Sequence, residues 1–249
     1  MKIFKKKIRI KPKTILKEVL LISLNVLVMI GTFVAISFGY AYMKTPLATN
    51  LTSRNIPQTS IIYDRTGEHI LYEIHGEENR KLLTHEEIPD TMRIATIAAE
   101  DDDFYVHYGI DPLSMLRALK TNVERKELTQ GGSTITQQLA RNAFLSRDKT
   151  FRRKLLEIVL AVKIERAYTK EQILDMYLNE VPYGSNAYGI ASASEIFFRK
   201  KAKDLSLDEA ALLAALPKAT SYYSPYGENM DELLQRQQNI VARIGNLGL

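Results

Sequence analysis

The sequence predicts a mainly α-helical body with one short β-hairpin, behind an N-terminal membrane-spanning helix. Residues 19–43 run for 25 positions without an Asp, Glu, Lys or Arg, enough at about 1.5 Å per residue to cross a hydrocarbon core of roughly 30 Å. From Pro89 onward, apolar residues recur at helical spacing in one segment after another. Ile61–Tyr63 and His69–Ile74 instead read as two β-prone runs joined by the turn Asp64-Arg65-Thr66-Gly67.

The charge is unevenly placed. The net value is +5, yet eight of the 34 Lys and Arg and one of the 29 Asp and Glu lie in residues 1–18, so the remainder is slightly acidic. A nucleic-acid-binding body is therefore not expected. The basic stretch 1–18 reads as a cytoplasmic tail, because positive residues stay inside, and everything beyond Lys44 is then expected outside. Tyr40 and Tyr42 sit where an interfacial aromatic belt would be. A cleaved signal peptide fits less well, since the apolar run is long and no small-x-small site follows Tyr42. With no cysteine, disulfides and thiolate metal sites are excluded.

Residues 44–75 read as a Pro-, Thr-, Ser- and Asn-rich connector leading into the hairpin, and 76–249 as the main body. Pro89-Asp90 looks like a helix start. Met92, Ile94, Ala95, Ile97 and Ala98 carry that helix into four consecutive acids, Glu100 to Asp103, followed by Phe104, Tyr105 and His107. Acids set against aromatics suit proton transfer, because partial desolvation raises a carboxylate pKa. The plainer reading is a helix end with its acids turned to water.

Residues 110–123 form an amphipathic helix whose Leu113, Met115, Leu116 and Leu119 either pack in a core or dip into a bilayer surface. Gly131-Gly132-Ser133-Thr134 reads as a flexible turn opening a helix, a geometry for phosphate or sugar oxygens that serves equally as a plain cap. The helix that follows carries Arg141, Lys149, Arg152, Arg153 and Lys154, a cation cluster suited to a pyrophosphate. Glu157 stands in an apolar run, where an unpaired carboxylate is costly, so it either pairs with Lys154 or lines a polar cleft. A helix to Asn179, a Pro-Tyr-Gly turn and a Gly-rich return lead to an Ala- and Leu-rich buried helix at 207–216 and a last helix at 229–244.

Five motifs in order resemble the peptidoglycan glycosyltransferase domain, glycosyltransferase family 51, of class A penicillin-binding proteins and monofunctional transglycosylases. They are Glu100, Asp101, Phe104, His107 and Gly109; then Gly131, Gly132, Ser133, Gln137 and Gln138; then Arg153, Lys154 and Glu157. Ile173, Leu174, Tyr177, Leu178, Asn179, Gly184 and Gly189 make the fourth, and the helix ending at Leu216-Pro217 the fifth. The resemblance covers roughly 58–249.

It implies a lysozyme-like helical lobe with a small membrane-proximal jaw, anchored in the bacterial plasma membrane by a single span. It also implies a reaction in which lipid II attacks a growing lipid-linked glycan strand and displaces undecaprenyl pyrophosphate with inversion. Glu100 is carried over as the general base, and Glu157 as a second catalytic glutamate that holds cations or helps bind a divalent ion such as Mg. No metal ligands are assigned. Asp101, Phe104, His107, Ser133, Gln137, Gln138, Arg141, Lys149, Arg153, Lys154 and Asn179 are carried over as substrate-binding, with Arg117 on the acceptor side. Other cell-wall synthesis proteins are expected partners. Ser146 to Lys149 spells the Ser-x-x-Lys of a transpeptidase, but no Lys-Thr-Gly follows, and that domain is expected to be absent or truncated. A membrane-anchored glycan hydrolase, or a non-catalytic glycan-binding scaffold, is the alternative.

Overall fold

The structure is a computed structural model that describes residues 12–46, 51, 58–74, 76, 78–125, 131–145 and 150–248. The chain divides into two compact units, Met1–Thr45 and Pro46–Leu249.

The first unit is the helix α1, Pro12–Lys44. Its stretch Lys17–Lys44 is long and apolar enough to cross a membrane. Polar residues within it return their hydrogens to the helix: Ser23 Oγ donates to the Leu20 carbonyl at 2.9 Å, Asn25 Nδ2 to Leu21 at 2.9 Å and Thr32 Oγ1 to Val28 at 2.8 Å. Each of these three side chains thus has a hydrogen bond inside the helix, which lowers the cost of placing it in lipid. Most of the basic tail lies outside the described residues.

The second unit begins with the expected hairpin, β1 Ser60–Tyr63 against β2 Ile70–Ile74, with Ile62 opposite Tyr72. Its turn is closed by the Asp64 carboxylate, which accepts from Thr66 Oγ1 and from the backbone N–H of Glu68 and His69. A second small sheet was not foreseen. There, β3 Asn79–Arg80 runs parallel to β5 Ala187–Tyr188, which pairs antiparallel with β4 Pro182–Gly184. Strands of two or three residues are too short to show alternation, so the sequence reads there only as a turn.

The helices around the core are α2 Asp90–Glu100, α3 Pro112–Arg125, α4 Ile135–Phe144, α5 Phe151–Ala167, α6 Lys170–Glu180, α7 Gly189–Phe198, α8 Leu207–Ala215 and α9 Met230–Leu247. The mainly α expectation holds. Helix α2 packs on α8 and α9, while α4 packs on α5 and α6. The α8 face is built from Ala210, Ala211, Ala214 and Ala215, all buried, so its neighbours can approach closely. Met92, Phe104, Leu139, Leu160, Tyr177 and Leu178 belong to one continuous core.

Hydroxyl caps set several helix starts. Thr134 Oγ1 accepts from Gln137 N at α4, Thr150 from Arg153 N at α5 and Thr169 from Gln172 N at α6. The Thr150 cap also explains why the expected single helix from Arg141 to Leu160 is two: α4 ends with Leu145 extended, and a new helix starts at Phe151.

Helix α3 corrects the core reading of its apolar face. Leu113 and Leu116 are 71% and 62% exposed. The helix rests on the body through Met115 and Ala118, where a Cβ on Gly132 would lie 3.0 Å from Met115 Cα and 3.2 Å from Ala118 Cβ. That close approach explains why a glycine precedes Ser133.

Candidate active site

Helix α2 ends at Glu100, and its carboxylate enters a cleft of about 350 Å³ whose lining includes Ser133, Gln138, Arg141, Lys218 and Arg236. Gln138 Nε2, from α4, donates to Glu100 Oε2 at 2.6 Å, and Arg236 Nη2, from α9, donates to Oε1 at 3.3 Å. Burial pushes the carboxyl above its ordinary range, while the Gln138 hydrogen bond and the charges of Arg236, Lys218 and Arg141 pull it back. Desolvation and the facing cations therefore act in opposite directions on this acid, and desolvation is the larger effect. Lys218, just after α8, has its ammonium pushed down by desolvation and by the charge of Arg236.

The loop from Asp101 to Gly109 follows Glu100 and is tied to the start of α4. Asp101 Oδ2 accepts from Ile135 N, at the start of α4, at 2.9 Å, and both carboxylate oxygens accept from His107 Nε2 at 2.9 and 3.0 Å. His107 Nδ1 accepts from Gly109 N at 3.1 Å, which places its hydrogen on Nε2. Gly109 has φ +77°, and a Cβ there would meet Glu165 Cγ at 2.9 Å, so glycine is required twice over. Phe104 is fully buried with the Lys170 ammonium 4.4 Å from its ring centre, and Lys170 pairs with Glu165 at 2.8 Å.

Phe104 and His107, expected to touch substrate, therefore hold the loop from beneath and are absent from the cleft lining. Asp101 does line it, although its carboxylate is already engaged by His107 and Ile135.

The cations expected around a pyrophosphate are split. Glu157 is 1% exposed; its Oε1 lies 3.1 Å from Arg153 Nε and its Oε2 3.1 Å from Lys154 Nζ. Of the two readings of Glu157, the ion pair is the one observed. With each oxygen facing a cation, this carboxylate does not suit a divalent metal, and no group of three or more His, Asp or Glu is gathered for one among the described residues. Lys154 Nζ also donates to Ser133 Oγ at 2.7 Å and Gln137 Oε1 at 2.9 Å, which ties this cluster to the wall of the cleft that holds Glu100.

Gln137 is fully buried. Asn179 is not at the cleft: its Oδ1 accepts from Leu83 N at 2.9 Å and its Nδ2 donates to Leu83 O, so it braces the small sheet region. Arg141 and Arg117 do line the cleft, Arg117 donating to Ser114 Oγ at 2.7 Å. Lys149 lies outside the described residues.

Sequence reasoning missed Lys218, Arg236 and Arg243, which supply much of the positive wall. Arg243 pairs with Asp102 across the rim. On the string these residues look like an ordinary solvated helix face. The one available signal was the position of Lys218 directly behind Leu216-Pro217.

A helical body in which a glutamate and several cations share one cleft sets a carboxyl group beside fixed positive charge, and a family-wide pattern described as Transglycosylase matches residues 67–245. The chain belongs to that transglycosylase family.

Among its relatives, Penicillin-binding protein 1A of Aquifex aeolicus (strain VF5) is 41% identical over 221 residues, 86% of this chain and 30% of the relative. Penicillin-binding protein 1F of Bacillus subtilis (strain 168) is 39% identical over 241 residues, 96% of this chain and 32% of the relative. The chain thus spans about a third of the length of these curated relatives. The crystal structure of Penicillin-Binding Protein 1A from Haemophilus influenzae aligns over 77% of this chain and 18% of that one, with a TM-score of 0.40 and 21% identity.

Proposed function

We propose that this chain is a peptidoglycan glycosyltransferase that polymerises lipid II into β-1,4-linked glycan strands, with Glu100 as the general base. The observation that carries the reading is the pairing within one cleft of a buried carboxylate with Arg141, Lys218 and Arg236.

In the proposed step the 4-hydroxyl oxygen of the acceptor sugar attacks the anomeric carbon of the donor strand. Its proton passes to Glu100, the bond from the anomeric carbon to the diphosphate oxygen breaks, and the electron pair leaves on undecaprenyl pyrophosphate. Negative charge grows on that leaving group, so fixed cations favour the transition state over the ground state. Ser133, held by Lys154, and Arg141 form the donor side, while Arg117, Lys218, Arg236 and Arg243 face the acceptor. Glu157 acts indirectly, by holding Arg153 and Lys154 in place.

Residues 19–43 anchor the body, residues 76–249 do the chemistry, and the basic tail keeps the N-terminus in the cytoplasm. The exposed Leu113 and Leu116 of α3 suit contact with the bilayer from which the lipid-linked substrate is drawn.

The test is incubation of the detergent-solubilised chain with purified lipid II, with and without a chelator. Polymer formation that is lost in Glu100→Gln is expected. Shortening of preformed glycan without polymer would make it a hydrolase, and neither reaction would leave a binding scaffold.

A further inference from the structure

The carboxylate of Glu100 is held by a buried relay that begins on a different helix. Tyr177, on α6 and 1% exposed, donates its hydroxyl hydrogen to Gln138 Oε1 at 3.3 Å, and Gln138 Nε2 donates to Glu100 Oε2 at 2.6 Å. An ionised carboxylate only accepts hydrogen bonds, so the amide must turn its nitrogen toward Glu100 and leave its oxygen for a donor behind it. Tyr177 is that donor. Tyr183, on β4, is equally buried and also near Glu100, but its hydroxyl has no hydrogen-bond partner among the described residues.

We infer that Tyr177 is a positioning residue for the transfer reaction: its hydroxyl locks the Gln138 amide in the orientation that presents N–H to Glu100. The inference rests on the proposed role of Glu100 as base. A donor behind the amide oxygen polarises the amide and strengthens the N–H bond to the carboxylate, and without it the buried oxygen faces a hydrocarbon ring and the amide loses its preferred orientation. The other groups facing Glu100 are Arg141 on α4, Lys218 after α8, Arg236 on α9 and the two tyrosines, with Asp101 next in the chain. Arg236 bonds the opposite carboxylate oxygen of Glu100, not the Gln138 amide.

The experiment is the pH profile of lipid II polymerisation by the full chain carrying Tyr177→Phe, which keeps the buried ring and removes only the hydroxyl. Weakening the bond to the ionised carboxylate favours its protonated form, so the acidic limb should move upward by ~0.2–0.6 pH unit, the share of a charge-assisted hydrogen bond that such relays contribute. On that limb the rate should fall about two- to four-fold relative to the parent. Tyr183→Phe should leave the limb in place, and in a Gln138→Ala background Tyr177→Phe should have no further effect on it.

A limb that coincides with the parent's in Tyr177→Phe, or an equal shift in Tyr183→Phe, overturns the inference while leaving Glu100 as the base. Retention of polymerisation by Glu100→Gln would instead overturn the role of Glu100 on which it rests. If Tyr177→Phe is too unstable for kinetics, Gln138→Met is read alone; an unchanged acidic limb there removes the relay altogether.

Discussion

The guanidinium of Arg236 donates to Glu100 Oε1 at 3.3 Å although the two residues are 136 positions apart. The same side chain donates from Nε to the Ala215 carbonyl at 3.1 Å and lies over the Tyr223 ring, so it is fixed from three sides. Helices α2 and α9 meet at this contact, and the last helix supplies a charge that partly offsets the effect of burial on the Glu100 carboxyl.

Replacing Arg236 with Met keeps most of the packing and removes the charge. Glu100 loses one of the cations that favour its ionised form, so the acidic limb of the polymerisation profile should move to higher pH. At its optimum, where Glu100 is ionised in both proteins, the rate should fall by less than about tenfold, because Arg236 faces the acceptor and not the diphosphate on which charge develops. Lipid II assays across pH measure both, and an unmoved limb would count against the electrostatic link.

Glu100→Gln should lower polymerisation by about 10³-fold or more, the scale of a lost general base. Its effect on stability should run the other way. Because the folded carboxyl titrates above its ordinary 4.5, the folded state binds more protons than the unfolded one as pH rises from that value to the raised folded pKa. Stability from this group is therefore present below the window and lost across it. The melting temperature of Glu100→Gln relative to the parent should therefore rise as pH climbs through that window, and a difference that stays constant with pH in thermal unfolding would contradict the desolvation account.

Glu157→Ala should destabilise the second unit by about 2–3 kcal/mol in denaturant unfolding, at or below the range for a broken buried pair because Arg153 and Lys154 are partly exposed. Freed from Glu157, Lys154 no longer holds Ser133 in one place, so activity should fall with stability. Glu157→Asp should restore neither fully, since the shorter chain cannot reach both cations at 3.1 Å. Wild-type unfolding by Glu157→Ala would rule out the strut role.

Gly109→Ala should cost about 1–3 kcal/mol through its left-handed backbone and the contact with Glu165. The same change should loosen the His107 to Asp101 bracket. Hydrogen exchange at Ile135 N–H, which Asp101 accepts, is the direct readout and should speed up.

The motif residues show how far a string can be read. Glu100 and Ser133 were singled out from sequence, and the structure brings both to one cleft. Phe104, His107 and Asn179 came from the same motifs, yet their side chains are spent on bracing the fold. A motif records which residue types a site needs, but not which of them face outward. The α3 helix makes the same point from packing, because its apolar spacing was plain while the exposure of Leu113 and Leu116 was not.

What could be known from the one-dimensional order was whatever depends on near neighbours. That covers the charge-free run of 19–43, the hairpin turn at Asp64 to Gly67, and the helix periods; with a family likeness added, it also singles out Glu100 as a residue of interest. What needed the folded chain was everything that depends on meeting a distant residue: the burial that raises the Glu100 carboxyl, Arg236 and Lys218 beside it, and the Tyr177 to Gln138 relay behind it. Periodicity tells a helix which of its faces is apolar, but the surface that face will meet, and the charges carried there, are settled only when segments more than a hundred residues apart pack together.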